Sequence, residues 1–168
     1  MKQVSKLLFT ALLFCGAQIT HAQSGVHVGG MLAYGSEIEN VGIGVNAEIP
    51  VFGKLSVSPS IIYYLPKSYW ATKVNWFEIN ANANYRFLDL KLLNVYGLAG
   101  INYTNVKVNY DGPYDSLIEG KTSDGRVGFN IGGGANFKLG KITPFAELKY
   151  VIIDDGQVVL AAGVKLNL

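Results

Sequence analysis

From Glu78 to Phe87 the chain reads EINANANYRF, and polar and apolar residues alternate without a break. Glu78, Asn80, Asn82, Asn84 and Arg86 share one parity; Ile79, Ala81, Ala83, Tyr85 and Phe87 share the other. On a helix these sets would mix around the axis, whereas on a strand each lines one face. The same period recurs. Val41, Ile43, Val45, Ala47 and Ile49 oppose Gly42, Gly44, Asn46 and Glu48. At the C-terminus Val158, Leu160, Ala162, Val164, Leu166 and Leu168 oppose Gln157, Val159, Ala161, Gly163, Lys165 and Asn167.

Eight segments alternate in this way, at roughly 25–35, 41–50, 54–65, 75–87, 92–104, 125–138, 142–152 and 157–168. Most have the length that a tilted membrane strand needs. In the fifth, Gly97, Ala99, Ile101 and Tyr103 fall on the apolar parity and Leu98, Gly100 and Asn102 on the polar one, where Tyr96 and Leu98 fit poorly. Connections after the second, fourth and sixth segments are short, around Phe52-Gly53, Asp89-Leu90 and Gly140. Residues 66–74 and 105–124 form longer loops rich in Tyr, Asp, Gly and Asn, while 36–40 and 153–156 are short. Short ends alternating with longer ones predict an all-β, eight-stranded antiparallel up-and-down transmembrane β-barrel.

Alternation alone does not say which face lines the interior; the polar set does. It holds Ser56, Ser58, Ser60, Asn80, Asn82, Asn84, Gly128, Asn130, Gly132, Gly134 and Asn136. These are compact groups that fill a narrow eight-strand lumen. A solvent face would carry Lys, Glu, Thr and Arg instead. Aromatics gather near segment ends: Tyr34, Tyr63, Trp76, Phe77, Tyr103 and Tyr150 at the outer rim, and Phe52, Tyr85, Phe87 and Phe137 at the inner one. Rings of this kind favour the membrane–water boundary. A closed barrel satisfies every strand's backbone, so strand eight is expected to pair with strand one. Pro59 removes a ladder donor, and a bulge or local break is expected beside it.

Composition sharpens this picture. Only 15% of the 168 residues are charged, where roughly 25% is usual for a soluble domain. The N-terminus carries Lys2 and Lys6, an apolar run from Leu7 to Ile19, and Thr20-His21-Ala22 before Gln23. Residues 1–22 therefore read as a cleaved signal peptide, and 23–168 as the barrel domain. Phe14 precedes Cys15, where a lipoprotein signal wants a small residue. Without Lys2 and Lys6, the 14 basic residues fall to 12, against 12 acids, so the mature chain is neutral. That gives no support for nucleic-acid binding. No cysteine remains for disulfides, thiolate metal sites or nucleophilic catalysis.

With Pro144-Phe145-Ala146-Glu147-Leu148-Lys149-Tyr150 and an alternating strand at the C-terminus, the chain resembles the small outer-membrane β-barrel domain family of OmpA/OmpX-like, "porin family" proteins. The resemblance spans the mature chain and is architectural. It implies a Gram-negative outer-membrane location, contact with outer-membrane lipid, and insertion by the barrel assembly machinery. The family's terminal aromatic is replaced here by Leu168, which keeps the apolar parity.

Candidate sites follow from the inward parity. Glu48, Glu78, Arg86, Arg126, Glu147, Lys149 and Lys165 would form a lumen charge network, because buried charges must be paired. Glu48, Arg86, Glu147 and Lys165 are expected toward the periplasmic half, Glu78 and Arg126 toward the outer half. The network reads as a salt-bridged plug, with a gate or narrow ion path as the sharper alternative. Arg86 is expected to make an inward contact with a carboxylate; without that contact the plug of these seven residues fails. His27 points inward and lacks the Ser–His spacing of a hydrolase or a second His for a metal. Asp111 and Asp115 in the 105–124 loop match no calcium-loop spacing, yet the loop suits an extracellular ligand. Gly132-Gly133-Gly134 opens no helix, so it forms no phosphate loop. The expected role is structural, adhesive or weakly pore-like, without enzymatic activity, cofactor or metal. The alternatives are a rim-sited lipid-modifying enzyme and a soluble barrel for lipophilic ligands.

Overall fold

A computed structural model describes residues 25–69, 72–110, 122–154 and 156–168. The segment 1–22 expected to act as an export signal lies outside them, as do Asp111 and Asp115. The described chain forms eight strands: β1 (His27–Gly35), β2 (Asn40–Phe52), β3 (Leu55–Tyr69), β4 (Thr72–Asp89), β5 (Leu93–Tyr110), β6 (Thr122–Phe137), β7 (Ile142–Ile152) and β8 (Gln157–Asn167). Each pairs antiparallel with the next, and β8 closes on β1 from His27↔Asn167 to Gly35↔Val159. No sheet edge remains within the closed wall, as a bilayer requires.

The registers impose a slant. From Gly35, partners run round the wall through Val159, Lys149, Gly132, Leu98, Asn84 and Ser56 to Pro50. Gly35 also pairs directly with Asn40. The circuit therefore returns 50 − 40 = 10 residues displaced along β2. A stagger of this kind goes with strands tilted by roughly 35–45°. It decides which side chains share a level in the lumen.

The polarity is the one the compact amides predict. Ile43, Val45, Leu160 and Ala81 are exposed on the outer wall, while Asn80, Asn82, Asn84, Asn102, Asn130 and Asn136 are buried inside. Tyr96 and Leu98, the poor fits of the fifth segment, also point inward and are buried. The soluble-carrier alternative requires the opposite arrangement.

Two expectations change in detail. Residues 66–74 and 105–124 read as loops, but β3 and β4 continue pairing through Lys67↔Val74 to Tyr69↔Thr72. Likewise β5 and β6 pair out to Val108↔Thr122. A register shift between Tyr64 and Lys67 starts the first extension. Both faces of these segments lie beyond the apolar belt, so the alternation that marks a strand in the wall fades there. The four long neighbours β3–β6 thus rise as a sheet above one rim. Secondly, Pro59 keeps its register with Ala81 on β4, so there is no bulge. On its other side the β2–β3 ladder pairs Asn46 with Ser60 and Ile49 with Val57, and skips the positions between. That is the local break. Pro59 offers no N–H, and the Ser58 hydroxyl donates to the Ala47 carbonyl at 3.0 Å in its place. At the opposite rim the turns are tight, with Gly53 and Gly140 at φ 54° and 74°, where a side chain would be strained.

Candidate functional site in the barrel lumen

Two ionic centres fill the lumen at different levels. Near the short-turn end, Lys165 from β8 donates to the Glu48 carboxylate of β2 at 2.7 Å and to Asn136 Oδ1 of β6 at 3.2 Å. Its ammonium also lies 4.5 Å from the Phe145 ring centroid, a favourable place for a desolvated cation. Glu48 accepts Ser56 Oγ at 3.1 Å, and Asn136 Nδ2 donates on to Asn94 at 2.9 Å. Six strands meet in this centre.

The second centre sits toward the raised sheet. Glu78 of β4, fully buried, accepts from Lys149 of β7 at 3.3 Å, Gln157 Nε2 of β8 at 2.7 Å and the Tyr64 hydroxyl of β3 at 3.1 Å. Lys149 donates more closely to Asn80 Oδ1, at 2.7 Å. Asn130 Nδ2 bridges Asn80 and Asn82, and Asn102 Nδ2 also reaches Asn80. These amides bond the ions directly and one another, which lets a carboxylate and an ammonium coexist away from water.

Glycine makes room for this packing. A Cβ at Gly132 would lie 2.6 Å from the Lys149 Cα. At Gly134 it would run into the Tyr96 ring, 2.6 Å from Cζ. Small residues on the inward parity of β6 are therefore what allows the long side chains of β5 and β7 to cross the lumen.

The structure divides the seven expected charges. Glu48, Lys165, Glu78 and Lys149 come together as two pairs. Glu147 is half-buried between them and accepts the Tyr96 hydroxyl at 2.9 Å; among the described residues no ion pair includes it. Arg86 does not reach a lumen carboxylate. It donates to the Gly53 carbonyl at 3.0 Å and lies 3.5 Å from Asp89, three residues along its own strand at the rim. The inward contact expected of it is absent: near the end of β4 the side chain bends to Asp89 and the β2–β3 turn, so the seven-residue plug fails at Arg86 and only the Glu48–Lys165 and Glu78–Lys149 pairs cross the lumen. Asp89 is also gripped by Lys138, whose hydrogen bond is the chief reason its carboxyl is held below the usual carboxylate range. Arg126 is exposed at the opposite rim and pairs with Asp124 at 2.8 Å and Asp154 at 2.6 Å. His27 is half-buried, and its Nδ1 has no hydrogen-bond partner, so no activated hydroxyl is built on that nitrogen.

Sequence reasoning missed Trp76 and Tyr64 as lumen groups and placed Tyr96 there only as a poor fit. Trp76 shares the inward parity of Glu78 and packs against the buried cluster, in place of the lipid boundary expected from its position near a segment end. Tyr64 and Tyr96 are fully buried hydroxyl donors. Their parity was the available signal; their apolar rings obscured it.

Comparison with known proteins agrees with this architecture. The N-terminal β-barrel domain of Pseudomonas aeruginosa OprF matches with a TM-score of 0.68 at 16% identity, over 87% of this chain and 98% of that one. Ail, the attachment invasion locus protein of Yersinia pestis, crystallised with the heparin analogue sucrose octasulfate, matches at 0.64 and 14%, over 86% and 97%. Neisserial surface protein A matches at 0.63 and 16%, over 85% and 96%. These likenesses are of fold. No curated protein matches the chain. The outer membrane protein beta-barrel domain family matches residues 7–158. With a belt of apolar side chains outside and paired ions within, the chain belongs to that family and is an integral protein of the outer membrane.

Proposed function

We propose that this protein is a plugged outer-membrane scaffold that presents a raised sheet outside the cell. The plug rests on one observation: Glu48–Lys165 and Glu78–Lys149 cross the lumen at two levels, each tied to surrounding amides. An eight-strand barrel has space for side chains in its interior and little else. Refolded protein in planar bilayers is expected to be electrically silent. Sustained, regular openings would show an ion path and overturn the plug.

The raised part of β3–β6 supports a surface role. The β3 edge is defended, since Asn40 Nδ2 donates to Leu65 O at 2.7 Å and Lys67 reaches the Ile38 carbonyl at 3.4 Å. On the other side β7 pairs with β6 only from Phe129 inward. The segment Thr122–Gly128, paired with β5 on one side, therefore borders no described strand on the β7 side, and that edge can engage an extracellular ligand. Asn105 and Gly125 are register partners, so an Asn-Gly turn in place of residues 106–124 suits the hairpin. That variant is expected to fold and insert normally, while cells displaying it lose the surface adherence that the full chain confers. Undiminished adherence would assign the role to another part of the barrel.

In this scheme residues 1–22 are removed on export, leaving Gln23 first, and the barrel assembly machinery inserts the mature chain. N-terminal sequencing of the membrane form reads the first point directly.

A further inference from the structure

The outer mouth of the lumen holds a recess of about 50 Å³. Glu37, Trp76, Thr104, Asp154 and Gln157 are among its walls. Two of these groups are built in and left without a partner. Gln157 is 4% exposed; its Nε2 is committed to Glu78 at 2.7 Å, and its Oε1 has no hydrogen-bond donor. The Trp76 indole N–H is buried and equally unpartnered. Buried polar atoms of this kind are uncommon, and each leaves its desolvation uncompensated.

The chemistry of the recess is that of an acceptor. Thr104 donates its hydroxyl to Asn102 Oδ1 at 2.7 Å, which leaves its lone pairs facing other donors. Gln157 offers a carbonyl oxygen, and Glu37 and Asp154 carry exposed carboxylates at the opening. The one cation in the wall, Arg126, is shared between Asp124 and Asp154. Across the charged lining residues Arg126, Glu37 and Asp154 the charge is +1 − 2 = −1. An indole beside acceptors and a net negative charge is a setting that favours an organic cation.

We propose that this recess binds a primary ammonium group from the outside medium, with Gln157 Oε1 accepting at its base, Glu37 and Asp154 supplying charge, and Trp76 forming the wall. A water centre needs roughly 10–15 Å³. The volume therefore admits the ammonium and a bridging water, which accepts from the Trp76 indole. The tip of a polyamine or of a lysine side chain has the required head and a chain narrow enough to lead out of the mouth.

The test uses the full mature chain, refolded, with Trp70→Phe so that Trp76 is the only indole. Its emission is followed during titration with methylammonium chloride, and separately with sodium chloride at equal ionic strength. A saturable change with methylammonium alone is expected. Glu37→Gln with Asp154→Asn, both at exposed positions, is expected to weaken it several-fold. Spermidine and a lysine-bearing peptide are then compared, and the tighter of the two identifies the natural carrier. An equal response to sodium chloride, no saturation, or unchanged affinity in the double variant would each overturn the proposal. Circular dichroism confirms that the variants retain the barrel.

Discussion

Replacing Lys165 by Met is expected to destabilise the folded barrel by about 3–5 kcal/mol, because it strands a buried carboxylate. Glu48 would keep the Ser56 hydroxyl and Asn136 amide as donors, but lose its only ammonium, held at 2.7 Å. Both residues of the pair are buried, at 1% and 6% exposure, so water cannot take over. Met conserves much of the apolar stem against Phe145 and Tyr96, which confines the loss to the charge. The double variant Lys165→Met with Glu48→Gln is expected to recover most of the stability, since a neutral amide does not need the cation. Urea unfolding of refolded protein in lipid vesicles reads both values. A single substitution that lost less than about 1 kcal/mol would fall in the range of exposed ion pairs. It would show that solvent reaches this level of the lumen, against a plug.

That pairing was only half legible in the sequence. Parity assigns Glu48, Glu78, Lys149 and Lys165 to the interior, and period two is enough for that. It does not say which carboxylate meets which lysine. The answer depends on the stagger of ten residues around the wall, which places β2 Glu48 level with β8 Lys165 and β4 Glu78 level with β7 Lys149. Stagger is a property of all eight registers together, so no single segment carries it. The same gap explains Arg86 and Arg126. Parity sends both inward, yet each sits near an end of its strand, and the long guanidinium arm reaches rim carboxylates, Asp89 for Arg86 and Asp124 and Asp154 for Arg126. The raised ends of β3–β6 were hidden for a related reason. Alternation reports a strand only where its two faces meet different surroundings, and above the rim they do not. Trp76 shows the limit from another side. Its position along the segment suggested a boundary ring, whereas its parity, shared with Glu78, placed it over the lumen mouth.

Arginine at Val45 is expected to destabilise the barrel by about 2–4 kcal/mol, and arginine at Phe52 by only about 0–1 kcal/mol. Both positions are among the exposed apolar side chains, at 58% and 84%. If exposure to water explained them, the two substitutions would be equally mild, as they are on the surface of a soluble sheet. They differ in depth. Val45 lies within β2, flanked on the outer wall by Gly30 of β1 and Ile61 of β3. Phe52 ends the same strand beside the Gly53 turn. A guanidinium at Phe52 can extend into the headgroup layer, while one at Val45 must either drag water into the hydrocarbon or reach past several turns of the pleat. The same urea titration in vesicles separates the cases, and unfolding in detergent micelles, where the belt is thinner and more pliable, is expected to narrow the difference. Equal values at the two sites would mean that the outer wall of β2 faces no hydrocarbon, and the division of the chain into a lipid face and an ionic lumen would lose its basis.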